Sequence, residues 1–189
     1  MKFWLYIMKD IGTVRWFVMR DLKRRHALRR AYQELMERGF EVFTPMRWTV
    51  KVKRGVRMRQ EEPIIADLLF VRSAKDPLDR AVANISTLQY RYRLGHSASE
   101  PTVVRDTDME RFINAVRNSH DTRYYLPEEI RSEMYGKEIR VVGGPFNGYT
   151  GRLLSLRGSK TKRLLVELPG FITAAVEVSP DYIQFISEN

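Results

Sequence analysis

The 189-residue chain contains no cysteine, so neither disulfides nor a thiolate metal site can hold its fold together. That absence fits a reducing compartment, and a cytoplasmic protein is expected. Long apolar runs are missing too. The opening apolar stretch, Phe3 to Met8, is six residues long, too short to cross a bilayer and without a cleavage-site pattern after it. It reads as an N-terminal arm or edge strand, and no membrane partner is expected. Histidine is scarce: His26, His96 and His120 stand apart, without metal-ligand spacing and without a His-Glu-x-x-His pattern. The one glycine-rich loop, Gly143 to Gly151, lacks the Gly-Lys-Ser/Thr ending of a phosphate-binding loop, and no nucleophile elbow occurs. No metal, no cofactor and no catalytic residue are therefore expected, and the chain is not read as an enzyme. Internal repeats and low-complexity tracts are also absent.

What the chain has is localised positive charge. Lys and Arg number 33 against 23 Asp and Glu, a net of +10. Residues 15 to 60 hold 14 of these cations against 4 acids, and the remainder holds 19 against 19. All the excess therefore lies in one quarter of the chain, which points to a polyanionic partner such as nucleic acid. Two clusters carry it. Lys23, Arg24, Arg25, Arg29 and Arg30 gather at the start of a predicted helix. Like charges four apart, as Arg25 and Arg29 are, repel by about 0.2–0.5 kcal/mol in an isolated helix, so local stability does not favour the cluster. Lys51, Lys53, Arg54, Arg57 and Arg59 form the second cluster on a predicted hairpin. Trp48 on that hairpin has two readings, a base-stacking residue or a partly buried core residue.

The hydrophobic share of 43% is enough for cores, and the pattern favours two domains. Arg15 to Arg20 reads as a strand. Lys23 to Arg38 reads as a helix with an apolar stripe of Ala27, Leu28, Ala31, Leu35 and Met36, ended by Gly39. Phe40 to Thr44 is a second strand, stopped by Pro45. Trp48 to Val52 and Val56 to Arg59 alternate about Arg54-Gly55 as a hairpin. Pro63 opens Ile64 to Arg72, whose Leu68-Leu69-Phe70-Val71 run reads as a buried strand; Pro77 to Asn84 reads as a helix, Leu88 to Leu94 as a strand and Asp108 to Val116 as a helix. Residues 1–14 are an arm, 15–117 an α+β domain and 118–134, lacking periodicity, a linker. Residues 135–189 carry short strand patterns at Ile139 to Val142, Arg152 to Leu156, Leu164 to Leu168, Ala174 to Val178 and Ile183 to Ile186.

Between the first two of those patterns lies Gly144-Pro145-Phe146-Asn147-Gly148-Tyr149-Thr150-Gly151. It resembles the Gly-x-Phe-x-Gly-x-x-Gly core of the KOW motif, with Gly144, Pro145, Phe146, Gly148 and Gly151 at the motif positions. The first domain resembles the N-terminal domain of NusG-like transcription factors. Trp16-Phe17-Val18, Phe43-Thr44-Pro45 and Glu62 to Val71 carry that resemblance, which spans roughly residues 15 to 187 in all. The implied class is α+β, a NusG-type α/β sandwich followed by a small SH3-like KOW barrel.

The chain departs from NusG itself at Asp67-Leu68, where NusG has Gly-Tyr. With the basic hairpin, and with Pro101 to Val104 followed by Met109 to Phe112, it is most similar to the UpxY-type antiterminators of capsular polysaccharide operons, and next to the RfaH type.

The resemblance implies an operon-specific elongation and antitermination factor that suppresses pausing and termination. Its partners would be the RNA polymerase clamp helices, received by Ile65, Leu68, Phe70, Leu94, Met109 and Phe112, and the non-template DNA strand, faced by the basic helix. From the residues alone, these six divide between core and exposed patch in a way the pattern leaves open. The barrel would recruit a ribosomal protein or termination factor. A rival reading is a ribosome-associated KOW-domain RNA-binding protein. Against it, residues 135 to 189 hold 7 Lys and Arg against 5 Asp and Glu, which is only mildly basic.

Overall fold

The computed structural model describes residues 12–22, 29–92 and 100–186. Contacts divide the chain into two units, Met1–Asp106 and Thr107–Asn189. The first is built on an antiparallel sheet of β1 (Arg15–Asp21), β2 (Glu41–Phe43), β5 (Leu68–Ser73), β6 (Leu88–Tyr90) and β7 (Val103–Val104). Its order is β2-β5-β1-β6, with β7 pairing β1 as well. β1 and β5 run in register from Arg15 opposite Ser73 to Arg20 opposite Leu68.

Because side chains alternate across a strand, this register sorts the sheet into two faces. Phe17, Met19, Leu69 and Val71 point to one face. They pack with Ala31 and Leu35 of α1 (Ala31–Glu37) and Leu78 and Ala81 of α2 (Lys75–Asn84) in a single buried cluster. Trp16, Val18, Leu68 and Phe70 share the other face and are buried as well. Asp21, at the buried end of β1, accepts the Ala31 N–H at 3.0 Å and so caps the start of α1 from a neighbouring strand. Gly39, at φ +83°, closes that helix: the Gly39 N–H reaches the Met36 carbonyl and the Phe40 N–H the Leu35 carbonyl. Of the expected apolar stripe, Met36 is 57% exposed, since it sits about 100° around the helix from Leu35. Ala27 and Leu28 lie outside the described residues.

Between β2 and β5 the chain makes a ribbon of its own. β3 (Met46–Lys53) and β4 (Val56–Pro63) pair from Met46 opposite Pro63 to Lys53 opposite Val56, and with no other strand among the described residues.

The second unit takes in α3 (Asp106–Arg117, from Thr107 on) and six strands. These are β8 (Arg123–Tyr125), β9 (Tyr135–Val141), β10 (Thr150–Leu154), β11 (Arg163–Leu168), β12 (Ile172–Glu177) and β13 (Ile183–Phe185). Their order is β13-β9-β10-β11-β12-β8. The α+β class and the β-rich second part are as expected. The pairing among the described residues is an open order, however, with no pair that closes it into a barrel. Arg123–Tyr125, which lacks any periodicity and was expected within a linker, pairs with Thr173 to Ala175 of β12. Three half-exposed residues are too few to show a strand period.

Candidate nucleic-acid and polymerase interface

The ribbon places most of the second basic cluster on exposed surface. Directly opposed residues share a face, so Trp48, Val50 and Val52 of β3 lie on the same side as Glu61, Arg59 and Arg57 of β4. Trp48, Val50 and Val52 are 56%, 65% and 66% exposed. The reading of Trp48 as partial core does not hold, because more than half of its surface is exposed. The Arg59 guanidinium stacks over the Trp48 ring, 4.5 Å from its centroid.

On the other face Lys51 pairs with Glu62, and this holds the Glu62 carboxyl below its ordinary range. At the tip, Arg54 (φ 51°) and Gly55 (φ 80°) both take positive φ, the pattern of a two-residue type I′ turn. Such a turn favours Asn or Asp at its first position, so an Arg there puts charge where the backbone least favours a long side chain. Lys53 gives its backbone to β3, and its side chain lies outside what is described.

Of the helix cluster, Lys23, Arg24 and Arg25 lie outside the described residues. Arg29 pairs with Glu37 at 2.5 Å. Arg30 stands at the N-cap of α1 and donates to the Ala66 carbonyl at 3.2 Å, and its own N–H is received by the Gln33 side chain. Next to it is the departure noted in the sequence. The Asp67 carboxylate accepts both Nε and a terminal nitrogen of Arg20 at 3.3 Å, and a terminal nitrogen of Arg91 at 3.3 Å. Nothing in the spacing of Arg20, Asp67 and Arg91 could have signalled that three-residue node.

The residues expected to receive the clamp helices do not form one exposed patch. Leu68 and Phe70 share the face opposite α1 and α2, as the period of a strand requires, and Phe70 has no exposed surface. Its ring lies 6.4 Å from that of Phe43. Ile65 is half-buried in the turn before β5. Met109 and Phe112 are buried on α3, in the second unit, and Leu94 lies outside the described residues.

In the second unit packing accounts for Gly144, Phe146 and Gly151 of the KOW-like residues. Gly143 and Gly144 take positive φ, and a Cβ on Gly144 would stand 2.7 Å from the Tyr182 ring. Pro145 opens a 3-10 turn, and Phe146 is buried edge-on to Tyr149. A Cβ on Gly151 would meet Leu164 and the Leu165 carbonyl at 3.1 Å. The Tyr149 hydroxyl donates to the Arg111 carbonyl at 3.0 Å, and the Arg111 guanidinium lies over the Tyr149 ring and donates to the Thr150 carbonyl. α3 is thus bonded to the motif through Arg111.

A family model described as transcription termination factor nusG matches residues 14–113, more than half of the chain. The chain belongs to the NusG family. No curated protein matches it. NusG-family proteins are transcription elongation and termination factors that bind RNA polymerase, not enzymes, and this NusG-family chain is a factor of that general kind. The matched span holds the whole central sheet and the β3–β4 ribbon, and ends within α3. Among the described residues no helix is long and apolar enough to cross a membrane, and no cluster of metal-ligating side chains occurs.

Proposed function

We propose that this NusG-family protein is an operon-specific elongation and antitermination factor of the UpxY type. The observation that carries the reading is the exposed, cationic β3–β4 ribbon within the family-matched span, with Arg54, Arg57 and Arg59 along one strand and its turn. By the resemblance, the residues assigned to the polymerase clamp helices are Ile65, Leu68, Phe70, Leu94, Met109 and Phe112. Phe70 is fully buried, so that contact requires its face to be uncovered on binding. Lys23, Arg24, Arg25, Arg29 and Arg30 face the non-template strand, and the ribbon adds a second anionic contact. The KOW-bearing unit recruits a ribosomal protein or termination factor. The Asp67 node supports the specialised subtype, because the residue that departs from NusG is tied to two arginines rather than standing idle.

The test is transcription by purified polymerase through a pause site and a terminator, with and without the full-length protein. Faster pause escape and greater read-through are expected, together with polymerase in the pull-down. Polymerase binding with increased termination refutes the antiterminator reading. Co-sedimentation with ribosomes in place of polymerase binding refutes the whole assignment.

A further inference from the structure

The second unit holds a cavity of about 370 Å³ beside the KOW-like loop. Its floor is apolar: Val141, Phe146 and Val178 line it and are buried. Tyr182 makes one wall. Its ring packs so closely on Gly143 and Gly144 that a Cβ on either would stand 3.0 or 2.7 Å from it, yet Tyr182 is 40% exposed. The exposed lining is acidic, in a chain whose net charge is +10. Asp121 and Glu177 stand there, and apart from the His120 imidazole no basic side chain lines the cavity. Behind Asp121 the buried Arg163 guanidinium donates to one of its carboxylate oxygens. A carboxylate has about four acceptor sites, so Asp121 retains capacity for a second donor. Glu177 is exposed and makes no ion pair among the described residues. Ser119 also lines the cavity, and its buried Oγ has no hydrogen-bond partner. Leaving such an atom unpaired is costly, and a donor entering beside it would pair it.

We propose that this cavity docks one arginine side chain of a partner protein. The proposal rests on the reading that the second unit recruits a protein, and it names the chemistry of that contact. An arginine buries its aliphatic stem along apolar surface while its charged head stays at the polar edge. Here the floor takes the stem, and the two carboxylates take the head. The guanidinium presents five N–H donors in a rigid plane, enough for Asp121, Glu177 and the Ser119 Oγ. A lysine brings three donors on a compact charge and satisfies fewer of these acceptors. The cavity lies at the small end of ligand pockets, about 300–1,000 Å³, so it suits one side chain and not a folded segment. Arginine is also among the residues that dominate interface hot spots. A polyanion is turned away by Glu177, so this site is separate from the nucleic-acid contacts of the first unit.

The experiment titrates isotope-labelled full-length protein with blocked Gly-Arg-Gly, Gly-Lys-Gly and Gly-citrulline-Gly peptides and follows the amide shifts. Saturable shifts confined to residues lining the cavity, such as Asp121 and Val178, are expected with the arginine peptide. The lysine peptide should bind more weakly, and the citrulline peptide, similar in shape but uncharged, should not bind. Glu177→Gln should weaken the arginine peptide about two- to five-fold, as loss of an exposed ion pair does, at an unchanged Tm. Asp121 is left in place, since removing it would leave the buried Arg163 charge unpaired. Shifts elsewhere, equal binding of citrulline, tighter binding of lysine or unchanged affinity in Glu177→Gln each overturn the proposal. Spermidine binding more tightly than the arginine peptide at the same amides makes the occupant a polyamine and also overturns it. Should Glu177→Gln lower Tm, the citrulline comparison on the unaltered protein decides. Capture of a purified ribosomal protein or termination factor is scored separately. Capture that excess arginine peptide does not compete away overturns the docking site while recruitment stands. If neither protein is captured and the peptide shifts remain, the recruitment reading for those two classes fails and the arginine site stands.

Discussion

Phe70→Ala tests whether the face shared by Leu68 and Phe70 is closed in the free protein. Phe70 has no exposed surface, pairs across β5 with Val18 on β1 and Phe43 on β2, and has its ring 6.4 Å from that of Phe43. Truncating a buried Phe to Ala costs about 3–5 kcal/mol, combining lost transfer energy with the cavity left behind. A domain of this size is stable by only about 5–15 kcal/mol, so the variant loses a large fraction of it. At about 4–8 °C per kcal/mol for 60–100 residues, the first transition should fall by about 12–40 °C. Urea unfolding followed by tryptophan fluorescence, to which Trp16 on the same face contributes, measures this. Leu69→Ala, on the face packed by α1 and α2, serves as the ordinary core comparison and should cost about 2–5 kcal/mol. A loss below about 1 kcal/mol for Phe70→Ala alongside a normal loss for Leu69→Ala would falsify the closed face. Phe70 would then be available to a partner helix without rearrangement, where an apolar anchor typically contributes over about 1 kcal/mol of binding.

Four further variants have outcomes set by the geometry. Gly151→Ala should destabilise the second unit by about 1–3 kcal/mol, because the Leu165 carbonyl stands in the way at 3.1 Å. Gly148→Ala meets nothing within 4 Å and should cost only the strain of its φ of +83°, about 1–2 kcal/mol, which calorimetry on the two variants can compare. Burial pushes the Tyr124 hydroxyl up from 10.0 to about 12. A folded value above the unfolded one means its contribution is complete below pH 10 and is lost as pH rises through 12, so Tyr124→Phe should flatten alkaline unfolding in that window. The depressed Glu62 carboxyl contributes above its ordinary value of 4.5 and loses that contribution as pH falls through the lowered one. In Lys51→Gln, an NMR titration of Glu62 should move back towards the ordinary value, since the Lys51 hydrogen bond is the main cause.

The hairpin was legible in detail because its turn carries its own signal: Arg54-Gly55 sits between two alternating runs and takes positive φ at both positions. The division of Leu68 with Phe70 from Leu69 with Val71 followed from the period of a strand alone. Boundaries failed where a local rule had a permitted exception. The second helix was read from Pro77, but it begins at Lys75, since a proline in the first turn removes an N–H that has no helical partner. The Leu68 to Val71 run, read as a buried strand, lies in β5, and the chain turns just before it, with the Leu68 N–H on the Ile65 carbonyl. β7 and β8, at two and three residues, exist only through the strands they pair with. The Asp67 node and the Arg111–Tyr149 contact join residues far apart in sequence, and no spacing rule reaches them. Burial of Phe70 was likewise beyond the pattern, because alternation assigns a residue to a face and says nothing of what lies against it.

The structure also refines the meaning of the +10 charge. Within residues 15 to 60, carboxylates already sit against Arg20, Arg29, Arg38 and Lys51. These pairs are largely exposed, and such pairs contribute about 0–1 kcal/mol, so a phosphate can displace the carboxylate at little cost. Yet each displacement leaves an acid behind, close to the incoming polyanion, and that residual repulsion lowers the net gain. Arg54, Arg57 and Arg59 have no such neighbour to expel among the described residues. Among the described residues, positive charge is therefore less neutralised at the tip and on β4 of the ribbon than at Arg29 and Arg38 beside α1. Among the described residues, Arg54, Arg57 and Arg59 lie on the same ribbon as the exposed Trp48. The less neutralised charge and the exposed aromatic coincide on one element, and neither is needed to stabilise the sheet behind it.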